Sequence, residues 1–182
     1  MNDGAHMFFK KRGYIHSWGD TGCFDMEKLL KDFTYENHSI GDTIHGIIYR
    51  WATPSDLDKV VVCISDAEPK FLSFYRNERF YQKGTERPIL IAEKEHQILG
   101  AILLYISHEN EMGSVGAVAT AHEHRNQGIA TNMVRLGTKY LKDIGLKRAC
   151  LGYTYTQIVH MYEKAGYKIS VEYYMGEKEI DS

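Results

Sequence analysis

The stretch that most constrains this fold runs from residue 118 to residue 131, where an apolar run is followed by a polar loop and a helical pattern. The apolar run ends at Thr120, and Gly128 opens a second run whose apolar residues recur at helical spacing. This order predicts a strand, a loop and a helix start. The first N–H groups of a helix have no partner within the helix and carry partial positive charge, so the loop is suited to binding a phosphate group.

The run after Gly128 predicts one long amphipathic helix that starts at Ile129. Its other apolar side chains repeat along one face and belong to Met133, Leu136, Tyr140 and Ile144. Gly145 ends this pattern, as glycine often does just beyond the last residue of a helix.

Two sequence segments, in this order and at this spacing, carry a family resemblance. The loop reads Arg125-x-x-Gly128-x-Ala130, and residues 161–167 read Met-Tyr-Glu-Lys-Ala-Gly-Tyr. They resemble the Arg/Gln-x-x-Gly-x-Gly/Ala loop and the Tyr-Glu-Lys-x-Gly-Phe/Tyr segment of the GNAT superfamily of acetyl-CoA-dependent N-acetyltransferases. The resemblance extends from about Ile47 to the C-terminus. It implies an α/β fold, α+β in some schemes, with a mixed and mostly antiparallel central sheet flanked by helices.

The resemblance also implies where acetyl-CoA binds. Loop amides would hold the pyrophosphate, while the backbone of the preceding strand, which in the family separates from its neighbour, would pair with the pantetheine arm. The transfer needs no metal, and no metal site is predicted. The predicted cofactor-binding residues are Val118, Ala119, Thr120, Arg125, Asn126, Gln127, Gly128, Ile129, Ala130 and Thr131.

Tyr162 is the predicted catalytic residue, because it matches the family tyrosine that protonates or hydrogen-bonds the departing thiolate. A tyrosine hydroxyl is still protonated at neutral pH and can fill this role. Without the resemblance, a tyrosine on an amphipathic helix would be assigned to the core.

Two departures from the family pattern bear on activity. Tyr155 stands where many members carry an asparagine that touches the cofactor, and Ser114 stands where some members place a carboxylate base, with Glu111 nearby in the loop. These departures keep open a second function, a non-catalytic acyl-CoA-binding regulatory module of the same fold. The general base is therefore open, and three histidines are candidates for it, directly or through water: His122, His124 and His160.

Other chemistries fit the motifs less well. The run His122-Glu123-His124-Arg125 resembles a metalloprotease motif, but that motif needs a histidine where Asn126 stands. A nucleotide-binding protein is a weaker third alternative, because the Gly-x-x-x-x-Gly-Lys-Ser/Thr sequence is missing. Cys150 has no motif around it and is assigned to packing, so we expect direct transfer without an acyl-enzyme.

Composition limits the class of partner and the compartment. A formal charge of −2 gives no general attraction to nucleic acid or to an anionic membrane. The three cysteines are far apart and odd in number, which favours a reducing, cytoplasmic setting over a disulfide framework. The longest apolar run, Ile98 to Ile106, is too short to span a bilayer, so a soluble protein is expected.

The remaining segments alternate between strand and helix signals within one domain over residues 47–182. Thr53 and Pro54 predict the start of a helix, and a second helix with an aromatic side is predicted from Pro69 to Lys83. The resemblance implies that these helices help to shape the acceptor pocket, for a small-molecule amine or an exposed amino group. The last helix is predicted from Thr156 to Ala165. The predicted strands are Pro88–Glu93, Gln97–Ser107, Ser114–Thr120 with a bulge at Gly116, Arg148–Tyr153 and Tyr167–Met175.

Residues 1–46 form an extension ahead of this domain. The run from Phe8 to Tyr14 resembles residues 161–167, which indicates an internal repeat, and a helix is predicted from Asp25 to Phe33. The extension is either an amphipathic appendage on a sheet edge or the remnant of a preceding acetyltransferase half. Its large apolar residues are expected to pack on the main domain or on a second copy in a homodimer: Phe8, Phe9, Tyr14, Trp18, Met26, Leu29 and Phe33.

Overall fold

The computed structural model describes residues 3–15, 22–35, 37–173 and 175–179. Eight strands form one sheet in the order β2-β3-β4-β5-β6-β7-β1-β8, antiparallel throughout except between β6 and β7. The mixed, mostly antiparallel sheet flanked by helices is the predicted fold. The strands are β1 Cys23–Leu29, β2 Thr43–Ile44, β3 Ile47–Trp51, β4 Ile89–Lys94, β5 Gln97–Ser107, β6 Met112–Thr120, β7 Arg148–Tyr155 and β8 Lys168–Tyr173.

The α-helices are α1 Asp3–Lys10, α2 Leu57–Ala67, α3 Leu72–Tyr75, α4 Ile129–Asp143 and α5 Thr156–Glu163. Four of them, α2 to α5, cover the two faces of the sheet. Because successive strand residues face opposite sides, neighbours such as Leu90 and Ile91 of β4 belong to different core clusters. Leu90 shares its cluster with α4 and α5, whereas Ile91 shares its cluster with α2 and α3. No helix in the described part of the chain is both long and apolar enough to cross a membrane.

Most local predictions are confirmed. β4 and β5 form the expected hairpin, α4 ends as predicted before Gly145, which has a φ of +87°, and one 3₁₀ turn from Pro54 to Asp56 leads into α2. The single helix from Pro69 to Lys83 is wrong. That segment holds two 3₁₀ turns, Pro69–Phe71 and Glu78–Tyr81, with α3 between them.

The break after α3 has a local cause at Asn77. This residue has an extended backbone, and its side-chain oxygen accepts a hydrogen bond from the amide of Arg79 at 3.2 Å. Such a local bond competes with the helical bonds that a continuous helix would need.

The helix predicted from Asp25 to Phe33 is also wrong, because β1 occupies this part of the chain. β1 pairs with β7 on one side and β8 on the other, so it lies inside the sheet and does not cover an edge. Met26 is fully buried, whereas Leu29, which a helix would have placed on the same face, is 52% exposed. Pairing with two distant strands overrides the local helical spacing.

The apolar residues of the extension are only partly covered. Met26 and Phe33 are buried as predicted, whereas Phe8, Phe9 and Tyr14 are exposed, like Leu29. The Phe9 ring contacts the rings of Phe8 and Tyr14, each at 5.3 Å between centroids. Trp18 lies outside the described residues.

The two similar sequence segments also end their helices in the same backbone geometry. Gly13 and Gly166 end their helices at matching positions, with φ of +80° and +83°. The amides of Gly13 and Tyr14 donate to the carbonyls of Lys10 and Phe9, and those of Gly166 and Tyr167 donate to the matching carbonyls of Glu163 and Tyr162.

Beyond β1 the chain crosses the outer side of α4 on its way to β2, at the far edge of the sheet. The Lys142 ammonium, in the last turn of α4, donates to the carbonyls of Lys31 and Phe33. The Tyr35 hydroxyl donates to Asn132, near the start of α4, at 3.3 Å. The segment therefore runs along α4 from its end towards its beginning.

Candidate active site

A gap opens between β6 and β7 in the middle of the sheet. These strands pair only from Met112 to Ser114, opposite Arg148 to Cys150. Beyond this point β6 stays paired with β5, and β7 stays paired with β1. The inner edges of residues 115–120 and 151–155 therefore face each other without a strand between them, which confirms the predicted separation.

A bulge bends β6 beside this gap. Gly116 pairs with Leu103 and Ala119 with Ala101, so that Ala117 and Val118 have no paired residue on β5. Ala117 has a φ of +47°, in the left-handed region that alanine rarely adopts. The bulge predicted at Gly116 is thus present one residue later.

Strands β5 and β6 approach each other closely beyond the bulge, at Gly100 of β5. A side chain at this position would place its Cβ 2.7 Å from the carbonyl oxygen of Ala119. This glycine therefore lets β5 and the end of β6 lie side by side.

The loop after β6 turns sharply into α4. Residues 122–124 form one 3₁₀ turn, and the amide of His122 donates to the Asp66 carboxylate of α2 at 2.9 Å. This amide lowers the pKa of Asp66. Asn126 and Gly128 then adopt positive φ values of 63° and 80°, which turn the chain into the helix.

The amides at the start of α4 are available to a ligand. Within the described part of the chain, the N–H groups of residues 126–131 donate to no other residue, and the first bond of the helix runs from the amide of Asn132 to the carbonyl of Gly128 at 3.0 Å. Among the described residues, apart from the neighbours of Gly128 in the chain, no atom lies within 4 Å of the position that a Cβ on Gly128 would take. This set of unpaired donors, at a helix start and beside the gap, fits an anionic pyrophosphate.

Arg125 makes two hydrogen bonds within the protein. Its guanidinium donates to the carbonyl of Thr120 at 3.2 Å and to the carbonyl of Ala67, at the end of α2, at 2.7 Å. The side chain therefore ties the loop to the sheet and to α2. Its predicted contact with the cofactor is not tested by this geometry.

The other predicted cofactor-binding residues fall into two groups. Ala119, Thr120 and Ile129 are buried, so their backbones are the groups nearest to a ligand, and the buried Thr120 hydroxyl has no hydrogen-bond partner within the described chain. The other group is exposed or partly exposed beside the gap or at the loop: Val118, Asn126, Gln127, Gly128, Ala130 and Thr131.

Tyr162 lies on α5, the helix that packs on β7 and β1. It is only 4% exposed, and its ring meets the edge of Tyr167 at 6.0 Å between centroids. Its hydroxyl bonds to no described residue. Burial raises the pKa of Tyr162 well above its usual range, and the nearby Tyr155 raises it further. The hydroxyl is therefore protonated at neutral pH.

Three of the four candidate bases are paired with a charged side chain. His160 is exposed and pairs with Glu163 at 2.7 Å, and His122 lies 3.4 Å from the Asp66 carboxylate. Glu111 is tied to Lys147 at 2.6 Å, beside the closed end of the gap. His124 belongs to the loop turn, and its buried Nε2 has no hydrogen-bond partner among the described residues, although the Glu123 carboxylate lies 3.4 Å away.

One residue at the gap was not predicted from the sequence to belong to the site. Tyr75 of α3 is fully buried, and its hydroxyl donates to the carbonyl of Ala117, in the bulge, at 2.6 Å. A tyrosine among the phenylalanines Phe71, Phe74 and Phe80 was the only local signal of this bond.

The cysteines and acidic groups offer little for other chemistry. Burial raises the pKa of the Cys150 thiol, which disfavours the reactive thiolate. Within the described residues, no group of three or more histidine, cysteine, aspartate or glutamate side chains is arranged to hold a metal ion.

A separate cavity of about 550 Å³ lies where the 34–45 segment meets α4. Two of the polar side chains that line it already have partners. Asn132 bonds to the hydroxyls of Tyr35 and Tyr49, and Arg135 donates to the carbonyl of Lys164 at 2.8 Å. This cavity is therefore a weaker candidate for a site than the gap.

The sequence profile of the acetyltransferase (GNAT) family matches residues 45–167. The match covers more than half of the chain, so this protein belongs to the GNAT acetyltransferase family, whose fold supports acyl transfer. No protein of curated function has a significantly similar sequence.

Solved structures share the whole fold. A glucosamine N-acetyltransferase region of a fungal multi-domain GH3 β-N-acetylglucosaminidase is similar at a TM-score of 0.74 and 20% identity, over 96% of this chain and 22% of that one. A GCN5-related N-acetyltransferase from Sphaerobacter thermophilus is similar at a TM-score of 0.71 and 16% identity, over 96% of this chain and 56% of that one. This chain thus spans a fifth to just over half of the length of these proteins, and at such identities the likeness shows the fold alone.

Proposed function

We propose that this protein is an acetyl-CoA-dependent N-acetyltransferase that moves the acetyl group directly to a primary amine of a small molecule or to an exposed amino group. One observation carries the proposal. The gap between β6 and β7 opens beside the unpaired amides of residues 126–131, so one extended ligand can lie along a free strand edge and end in a phosphate group.

The residues at the gap divide the work of the transfer. The amides at the start of α4 hold the pyrophosphate, and the free edge of Val118 to Thr120 aligns the pantetheine arm. The neutral amine attacks the thioester carbonyl, a C–N bond forms and the C–S bond breaks. Tyr162, which is protonated at neutral pH, gives its proton to the departing thiolate. The proton that the amine nitrogen loses on becoming an amide passes to solvent, and Tyr162 regains a proton from solvent. Holding both reactants in this gap supplies much of the rate.

An assay of free-thiol release tests the proposal against a panel of amines, polyamines, aminoglycosides, amino acids and peptides. The panel includes glucosamine, because it is the amine named for the similar fungal region. We expect thiol release above the rate of acetyl-CoA hydrolysis with at least one acceptor.

Calorimetry with acetyl-CoA distinguishes the alternatives. Binding without turnover on any acceptor would support the regulatory module, whose sequence signals are Tyr155 and Ser114. Absence of both binding and turnover would overturn the proposed site altogether.

A further inference from the structure

The bulge of β6 depends on a hydrogen bond from outside the sheet. The Tyr75 hydroxyl donates to the carbonyl of Ala117 at 2.6 Å, and the Tyr81 hydroxyl in turn donates to the carbonyl of Tyr75 at 2.8 Å. Both tyrosines are buried. A buried hydroxyl is costly unless it is hydrogen-bonded, so this chain of bonds favours one arrangement of the bulge.

The bond fixes the peptide group between Ala117 and Val118. Neither residue has a paired partner on β5, so the ladder leaves this peptide group less constrained than its neighbours. A trans peptide directs the N–H of one residue opposite to the C=O of the residue before it. Holding the carbonyl of Ala117 on Tyr75 therefore also sets the direction of the Val118 N–H, away from Tyr75.

The surroundings of Tyr75 keep its hydroxyl a donor. Burial raises the pKa of Tyr75 well above its usual range, and charges on Tyr81, Cys63 and Tyr162 would raise it further.

We propose that Tyr75 is a positioning residue for acyl transfer: its hydroxyl holds the strained Ala117–Val118 peptide group so that the Val118 N–H donates to the thioester carbonyl as negative charge develops on that oxygen. This inference rests on the proposed function. Tyr162 acts on the sulfur, whereas Tyr75 acts only through the backbone. Donors aimed in advance at a developing oxyanion are among the largest contributions to catalysis.

Tyr75→Phe keeps the ring and removes the bond. We expect kcat to fall by roughly tenfold, less than for removal of an oxyanion donor itself, with the Kd for acetyl-CoA nearly unchanged. Adding Ala117→Gly should restore most of the lost kcat, because glycine adopts positive φ without strain and retains the bulge without the tyrosine. If Tyr75→Phe lowered kcat only by loosening the packing around Tyr75, Ala117→Gly in β6 would not restore kcat.

Tyr49→Phe is the matched control. Tyr49 is also buried, and its hydroxyl accepts a hydrogen bond from Asn132 at 3.3 Å, away from the bulge. This variant loses one buried hydroxyl bond, and its kcat should stay at the wild-type value. Thermal unfolding of each variant checks that it is folded.

Amide hydrogen exchange over residues 116–119 gives a readout that needs no acceptor. Exchange should become faster in Tyr75→Phe and remain unchanged in Tyr49→Phe. An unchanged kcat, an unchanged exchange rate, or a lower kcat without rescue by Ala117→Gly would each overturn the inference.

The same experiment separates this inference from the proposed function. If the wild-type protein transfers no acetyl group to any acceptor, the proposed function fails, and the positioning role in transfer fails with it. The exchange rates would then still decide whether Tyr75 holds the bulge.

Discussion

The sheet consists of two halves that are built differently. The five-strand half, β2 to β6, follows the chain order and has helices on both faces, α2 on one and α4 on the other. The three-strand half combines β7, β1 and β8, which come from distant parts of the chain, and leaves Leu29, Ile169 and Val171 about half exposed. Within the sheet, the halves pair directly only through Met112 to Ser114 on β6.

Under the proposed function, this difference places phosphate binding and proton donation in different halves. The five-strand half supplies the loop amides, the bulge and the free strand edge, whereas the three-strand half supplies Tyr162 through α5. Changes at the loop should therefore alter the affinity for acetyl-CoA, and changes at Tyr162 should alter turnover. Four predictions test this comparison of the two halves, from the largest expected effect to the smallest.

Removal of residues 1–30 should have the largest effect, because it takes β1 out of the three-strand half. Among the described strands, β8 pairs only with β1, and Met26 and Leu30 are fully buried. Each such side chain contributes about 1.5–3 kcal/mol, a large part of the stability of a domain. We expect aggregation or a much lower Tm by light scattering and thermal unfolding. Removal of residues 1–13, whose aromatic side chains are exposed, is the control and should change Tm far less.

Gly128→Asp should abolish the binding of acetyl-CoA in calorimetry. The substitution places a carboxylate, and a residue that disfavours positive φ, at the start of α4. Gly145→Asp at the other end of the same helix is the control, since Gly145 also has a positive φ and an open Cβ position. Equal loss of affinity in both variants would indicate a general effect on α4 and contradict the loop site.

Tyr162→Phe should lower kcat by ~10²-fold, as expected for loss of a proton donor. The Kd for acetyl-CoA should change little, because the hydroxyl acts on the thiolate and not on the pyrophosphate. Steady-state kinetics and calorimetry measure the two effects separately. A wild-type kcat, with an acceptor for which chemistry limits the rate, would show that Tyr162 only packs in the three-strand half.

Asp56→Asn should destabilise the five-strand half in a pH-dependent way. The buried Asp56 carboxylate accepts two bonds from Arg50 and two from Thr53, all at 2.8 Å, and the bonds from Arg50 are the main cause of its lowered pKa. Hydrogen bonds to charged groups contribute roughly 1.5–3 kcal/mol each. Asp58→Asn, at an exposed position on α2, is the control.

The sign of the pH dependence follows from the lowered pKa. The contribution of Asp56 is complete above the pKa of the unfolded chain, about 3.9, and is lost as pH falls through the lower pKa of the folded state. The difference in Tm between Asp56→Asn and the wild type should therefore be constant from pH 7 to about 5 and shrink below about 4. A difference that does not depend on pH would contradict a role for this carboxylate charge.

The sequence predicted the parts of the fold that depend on local signals. The β4–β5 hairpin, the loop before α4 and the end of α4 at Gly145 each rest on residues close together in the chain. β1 could not be predicted in this way, because its strand conformation depends on pairing with β7 and β8, more than a hundred residues away.

The candidate site shows the same limit. Gly128 and Tyr162 were found through motifs whose residues lie close together in sequence. The bond from Tyr75 to Ala117 joins residues 42 positions apart and leaves no periodic signal. The bonds of Arg125 to the carbonyls of Thr120 and Ala67 were not predicted either, and Ala67 lies 58 positions away in the sequence.

The place of β1 has a consequence for how the protein folds during synthesis. Among the described strands β1 is made before the others, yet both of its partners are made on the order of 100 residues later, a delay of several seconds or more at 5–20 residues per second. Pairing so distant in sequence is slow to form. Until β1 docks, β7 presents an unpaired edge on which other chains can add. We therefore expect the nascent protein to rely on chaperones until β8 has emerged.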